Sequence, residues 1–373
     1  MTIRFEWLRS LHDHRLPASD YEALRQSLEH ATPFNHLAWL SAAELSLEPN
    51  QELWILLAWA SDQLQACLPL LYCREQYLGL PFRVVRHLGH PMSDRLTLLI
   101  ANDSPILLTG ILKQIRQQLP HAMLQLDEVT MTAARTSGMT HWSRHSVCWD
   151  RRTNCRVPEH LITEADHQEV TGNVRYKLRK ARKRCQEVAG TLLRLQPDGQ
   201  TVDGILAAVR QVEQVSWKGT EGVGIFSGTR QQWMHQALSG LACAGMLRLV
   251  AVEVDGRYVS YRLGLLERGR LYDYNLAFLP EYANLGSGRL LLDEWINWGL
   301  EEGWKQIDAS RVSLNNSSHQ LHERMTGQIE HHRWRFYSYR PGGLLLGLSN
   351  TFWRRLKPHL QNWKKRLAKK DEA

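Results

Sequence analysis

Three consecutive residues, Gly286-Ser287-Gly288, followed by Arg289 and an apolar-periodic run, carry the clearest chemical signal in this chain. Glycines let a turn approach a ligand closely. A helix that starts directly after the turn aims unpaired N–H groups and the positive end of its dipole at one point. Such a point favours an anion, and Arg289 adds a full charge. The pyrophosphate of coenzyme A or the phosphate of a phosphopantetheine arm would suit it. Gly-x-Gly before a helix is common in plain loops, so its weight depends on the elements that position it.

Those elements follow from hydrophobic periodicity. Val174, Leu178, Ala181, Cys185 and Val188 fall at helical spacing, which makes the basic run 175–184 one face of an amphipathic helix ended by Gly190. A strand at 192–195 and helices at 202–217 and 231–244 come next. Two strands joined at Asp255-Gly256, a strong hairpin signal, lead to a third at 270–278. After the glycine turn come a helix at 289–302, a strand at 305–308 and an aromatic strand at 332–339. The order strand, strand, strand, glycine turn, helix, strand raises the standing of the turn well above an isolated match.

The first part of the chain echoes this arrangement. Residues 53–71 read as strand, turn, strand around Asp62, and superposing that turn on Asp255-Gly256 offsets the chain by 193 residues, aligning Leu57-Ala58 with Val250-Ala251. Apolar runs at 84–88 and 96–100, a helix from Ser104 and Pro105 to before Pro120, and a strand at 123–126 follow. The pattern lapses between Cys155 and Pro158. The sequence therefore predicts an α/β (α+β, mixed-sheet) fold in two tandem domains, residues 1–157 and 158–343, with a tail at 344–373.

Composition narrows the function classes. A chain of 373 residues with 43% hydrophobic residues can bury two ordinary cores. It has no apolar run long enough for a membrane span, no signal-peptide pattern, and six cysteines without a CxxC pair, so a reducing cytoplasm is expected. Of the net charge of +8, the segment 346–373 supplies +6, from eight Lys/Arg against two Asp/Glu. The run 175–184 holds seven basic residues in ten. These are local anion-seeking surfaces, with no recognisable RNA-binding motif and nucleic acid not expected. In the tail, Phe352, Trp353, Leu356, Leu360, Trp363 and Leu367 recur near helical spacing beside basic residues. That composition suits a peripheral helix on anionic lipid, broken at Pro358 into two pieces.

The second domain resembles the acyltransferase domain of the CelD-like family, which has the GNAT fold and is related in architecture to the FemAB aminoacyltransferases. The residues that carry the resemblance are the basic helix from Arg175, Ser216-Trp217-Lys218, Tyr272-Asp273-Tyr274, Gly286-Ser287-Gly288-Arg289-Leu290-Leu291, and Gly303 through Ile307-Asp308. Ala283 stands where the family commonly has Arg or Gln, and His322-Glu323 where it often has Tyr-Lys. The resemblance implies two GNAT-like domains and direct transfer of an acyl group from a CoA or acyl-carrier-protein thioester to an amine or hydroxyl. Gly286, Ser287, Gly288 and Arg289 would hold the donor, and Trp217, Lys218, Tyr272 and Asp273 the acceptor. Asp308, Glu253 or His322 would serve as base and Tyr274 as acid. An amino sugar, polysaccharide or envelope precursor is the expected acceptor. No metal is expected, because His319-x-x-His322-Glu323 lacks the HExxH order. A GNAT-like scaffold without catalysis, and a transferase using aminoacyl-tRNA, stay open as alternatives.

Overall fold

The computed structural model describes residues 2–102, 104–130, 133–168, 170–309 and 324–371, with side chains left undescribed at 133–137 and beyond 357. The described residues form one mixed sheet of thirteen strands flanked by helices. In chain order the elements are β1 (Ile3–Leu8), α1 (Ala18–Ser27), α2 (Leu37–Leu45), β2 (Gln51–Ala60), β3 (Gln63–Tyr77), β4 (Leu80–His87), β5 (Leu99–Ile100), α3 (Pro105–Gln118), β6 (Met123–Thr130), α4 (Ala133–Arg144) and β7 (Cys148–Leu161). The second part adds α5 (Gly172–Glu187), β8 (Thr191–Leu195), α6 (Val202–Val215), α7 (Trp217–Thr220), α8 (Arg230–Cys243), β9 (Leu247–Val254), β10 (Arg257–Glu267), β11 (Arg270–Phe278), α9 (Ser287–Glu302), β12 (Gln306–Asp308), β13 (Gly327–Tyr337) and α10 (Pro341–Asp371).

The strand order is β1-β2-β3-β4-β6-β13-β7-β12-β11-β10-β9-β8, with β5 paired off this path to β3. Read inwards from either edge it is the same. Four strands run antiparallel, the fourth pairs in parallel with the fifth (β4 with β6, β11 with β12), and an antiparallel strand closes each half. The echo of 193 residues is thus the sequence trace of a repeated sheet. Asp255 and Gly256, with φ of 49° and 74°, make the primed turn that the right-handed strand twist favours.

The closing strands are exchanged. β7, from the first part of the chain, pairs with β12 of the second, and β13, from the second, pairs with β6 of the first. β7 and β13 then pair with each other along eleven registered positions and make the sheet continuous. The division expected at 157/158 falls inside β7. Helix packing ties the halves as well: a Cβ on Gly240 of α8 would lie 2.6 Å from the Ala38 Cβ of α2, so the crossing depends on glycine there. One buried apolar core runs through both halves, from Trp39 and Leu57 to Leu263 and Trp295.

Helix and strand limits mostly follow local chemistry, and three of the departures from the sequence reading concern the site and the tail. The helix expected over 202–217 stops at Val215, because Ser216 turns the chain and its Oγ accepts from the Lys218 N–H. α9 starts at Ser287 rather than 289, which brings Ser287 and Gly288 into its first turn. The tail is one helix, Pro341–Asp371, and not two pieces at Pro358.

Candidate active site at the seam of the two half-sheets

β11 and β12 register only as far as Tyr272 opposite Asp308. β11 continues to Phe278, so beyond Tyr272 its β12-facing edge has no strand partner among the described residues. The parallel pair opens as a V. On its other side β11 pairs with β10 through a bulge: Leu263 registers with Asn275 and Gly264 with Asp273, leaving Tyr274 as the extra residue. An unpaired edge of extended backbone can accept the amides of an extended ligand by strand-like hydrogen bonding.

The glycine turn sits at the end of this strand. Gly286 holds φ at +78°, in the left-handed region that L side chains avoid, and its missing Cβ faces Ala181 of the basic helix at 3.4 Å. A Cβ on Gly288 would meet nothing within 4 Å, so open space lies against the first turn of α9. Leu290 N–H turns back to Gly286 O, so the first N–H groups of α9, those of Ser287 and Gly288, lie at the positive end of the helix. A buried pair fixes the turn from below: Arg262 bonds Asp273, and its Nε donates to Gly288 O at 3.2 Å. α5 fixes it from the side. Arg184 donates to Asn284 O and Arg182 bonds Asp293 at 2.8 Å, while Arg179, Lys180 and Lys183 stay exposed alongside.

A carboxylate cluster lies at the inner wall. Asp308 is buried and held bidentately by Arg95, which comes from the first half of the chain. Directly opposite it on β7 stands half-buried Glu159, which accepts a bond from the uncharged Gln306 amide. Burial first, and then the Asp308 charge, push the Glu159 carboxyl up to about 7. A group poised there can take or give a proton under ordinary conditions.

Lys218 occupies the outer wall. Its ammonium bonds the Asn275 side chain, and Asn275 donates to Glu213 at 3.3 Å and to Tyr261 at 2.9 Å. Burial lowers the Lys218 pKa, opposed by the charges of Glu213, Asp273 and Asp94, and burial raises that of Glu213. The Ser-Trp-Lys element therefore delivers a lysine onto β11 just past its bulge.

The sites expected from sequence are only partly assembled here. Gly286, Ser287, Gly288, Lys218 and Asp308 come to the V. Tyr272 and Asp273 are buried, Tyr272 against the Phe34 ring and Asp273 paired with Arg262. Tyr274 is buried and donates its hydroxyl proton to Met92 O at 3.0 Å. Trp217 is half exposed. Glu253 lies two strands out on β9, opposite Tyr258 and Thr191. Arg289 is in the first turn of α9. His322 lies outside the described residues, as does Glu323. Glu159 was missed, because it directly follows the stretch Cys155–Pro158 where the pattern lapses. Its only sequence signal is the Val-Pro-Glu-His run that follows Cys155.

The first half does not keep such an opening. β4 and β6 pair only at Val84–Met123 and Val85–Leu124. The chain then returns, Leu96 bridging Val129 in parallel and donating to Glu128 O at 3.0 Å. Asp127 is closed in by Arg86 at 2.9 Å and by Arg333. Nearby, Glu128, Cys155 and His331 bring three possible metal ligands together, all buried. They hydrogen-bond one another, Cys155 Sγ and His331 Nδ1 lying 3.3 and 3.1 Å from one Glu128 oxygen. That arrangement satisfies the carboxylate without an ion.

Residues 172–316 match the family model of the acetyltransferase (GNAT) domain. No curated protein matches the chain. Among solved structures, FemX superposes with a TM-score of 0.62 over 88% of this chain and 98% of that one, at 11% identity. The L-PGS structure from Bacillus licheniformis gives 0.53 over 87% and 92% at 12% identity. The C-terminal domain of a putative lysylphosphatidylglycerol synthetase from Agrobacterium fabrum gives 0.54 over 89% and 96% at 10% identity. At such identities the likeness is one of fold. Residues 172–316 thus have the GNAT-type acyltransferase fold, within an overall fold similar to that of FemX.

Proposed function

We propose that this chain transfers an acyl group from a CoA or acyl-carrier-protein thioester to an amine of an amino sugar, polysaccharide or other envelope precursor. The phosphate-bearing arm would rest on the N-terminus of α9 and its amides along the open edge of β11. Glu159 would take the proton from the attacking amine as nitrogen bonds to the thioester carbonyl and the C–S bond breaks. Lys218 is the candidate to return a proton to the departing thiolate. The observation that carries the proposal is the juxtaposition of an open β11/β12 V, the left-handed Gly286 turn and a carboxyl titrating near 7.

The CelD-like resemblance of Ser216-Trp217-Lys218 and of the turn supports an envelope acceptor, as does a fold neighbour titled a putative lysylphosphatidylglycerol synthetase. A second reading has a specific feature in its favour: exposed Arg179, Lys180 and Lys183 flank the donor turn, as an aminoacyl-tRNA donor would require. Thiol release from CoA and carrier-protein thioesters, measured against a panel of amine acceptors, tests the first reading. Release with at least one thioester is expected. Transfer from charged tRNA alone, with binding that falls steeply with salt, would move the assignment to the second.

A further inference from the structure

The long C-terminal helix presents an apolar face that nothing in the described chain covers. Gly343, Leu346 and Gly347 of α10 turn inwards, with Gly347 so close to Cys148 and Tyr337 that a Cβ would collide. The other side of the helix holds Leu344, Leu348 and Phe352 four residues apart, with Leu345 beside them. Leu348 is 69% and Phe352 67% exposed. Trp353, 51% exposed, carries this surface round to a cleft against the β3–β4 turn, where Tyr77, Leu78 and Met123 form the facing wall. At that turn Leu78 adopts φ of +54°, a conformation costly for a bulky side chain, and Leu78 and Leu80 point two more large apolar groups outwards. A soluble surface seldom concentrates so many exposed large apolar groups.

Basic residues accompany the apolar ones. Arg340, Arg355 and Lys357 are exposed on or beside the helix, and the sequence from 346 onwards has eight Lys/Arg against two Asp/Glu. We propose that α10 and the β3–β4 turn together form a docking surface for an anionic phospholipid bilayer. The helix would lie in the plane of the headgroups, its leucines and Phe352 entering the acyl boundary, with Leu78 and Leu80 as a second anchor. Charge selects this occupant over a second copy of the chain, since pairing two such faces would oppose two strongly basic helices. No described helix is long and apolar enough to cross a membrane, so the attachment is peripheral and reversible.

The test is sedimentation of the full chain with phosphatidylcholine vesicles and with vesicles also containing phosphatidylglycerol, at low and high salt. Binding to the mixed vesicles, weak binding to the neutral ones and release by salt are expected. The variant L348E/F352E should weaken partitioning about tenfold or more. R355E/K357E alters only exposed charges, so it also stands as the test should the first variant misfold, and it should weaken binding to mixed vesicles alone. Absence of binding to mixed vesicles, equal binding to both kinds, or unchanged binding by variants with a wild-type thermal melt would overturn the proposal. So would a dimer in free solution that L348E/F352E dissolves, which would assign the face to a second copy.

Discussion

Glu159 and Asp308 are paired residues on neighbouring strands, and their carboxylates have opposite circumstances. Asp308 is fixed by Arg95, whereas Glu159 accepts from the neutral Gln306 and is raised to about 7. β7 and β12 come from different halves of the chain, so exchanging the closing strands is what creates the pair. It also sets a carboxyl from β7 directly beside Asp308 of β12.

Replacing Glu159 by Gln should reduce turnover by roughly 10²–10³-fold, the usual value of a positioned base. In the wild type, kcat/KM should rise with pH through about 7, as Glu159 loses its proton. That limb should vanish in the variant. Stability has the opposite sign. The folded pKa lies above the ordinary carboxyl value of 4.5, so the native state favours the protonated carboxyl and loses stability as pH rises from there through about 7. At pH 8 the variant should therefore match or exceed wild type, by roughly 1 kcal/mol after allowing for solvent screening of a half-exposed group.

The Arg95–Asp308 pair predicts a different outcome. Both side chains are buried, so R95A or D308N leaves one charge uncompensated and should cost about 3–5 kcal/mol in urea unfolding. R95L/D308L, which removes both charges, should cost much less than the sum of the single changes. If D308N stays folded, the acidic limb of its pH profile should move below 7, because the Asp308 charge helps to raise Glu159.

The two glycines of the donor turn separate folding from binding. G286A forces a side chain into the left-handed region and should lose about 1–2 kcal/mol of stability. G288A projects a methyl group into open space. Its melting temperature should hold while affinity for a thioester donor falls.

Lys218 supplies the alkaline counterpart. Its pKa is lowered by burial, so activity should decline on the alkaline side below the ordinary lysine value of 10.5. In K218M that decline should disappear along with most of the turnover. Donor affinity, measured by calorimetry, should change little.

Much of this was legible in the sequence where local chemistry decides the outcome. Asp255-Gly256, Pro105 and the run 270–278 mark their elements because turn type, capping and β-branched or aromatic spacing act over a few residues. β7 was not legible. Cys148–Leu161 carries Asp150, Arg151, Arg152, Arg156 and Pro158, the wrong composition for a central strand. It holds that place because β13 and β12 pair with it and because ion pairs such as Arg354–Asp150 satisfy its charges. Glu159 was hidden with it. Asp273 looked available for the same kind of reason: its partner, Arg262, lies on another strand, and only the sheet brings the two together.

The proposed reaction requires the Gly286 turn and the β11/β12 V to hold an acyl thioester. Calorimetric titration of the wild type and of G288A with CoA thioesters and with acyl carrier protein tests this most directly. Saturable binding of at least one donor by the wild type is expected, weakened about tenfold or more in a G288A variant that melts normally. Failure of every thioester to bind the folded wild type, or equal binding by G288A, would contradict it.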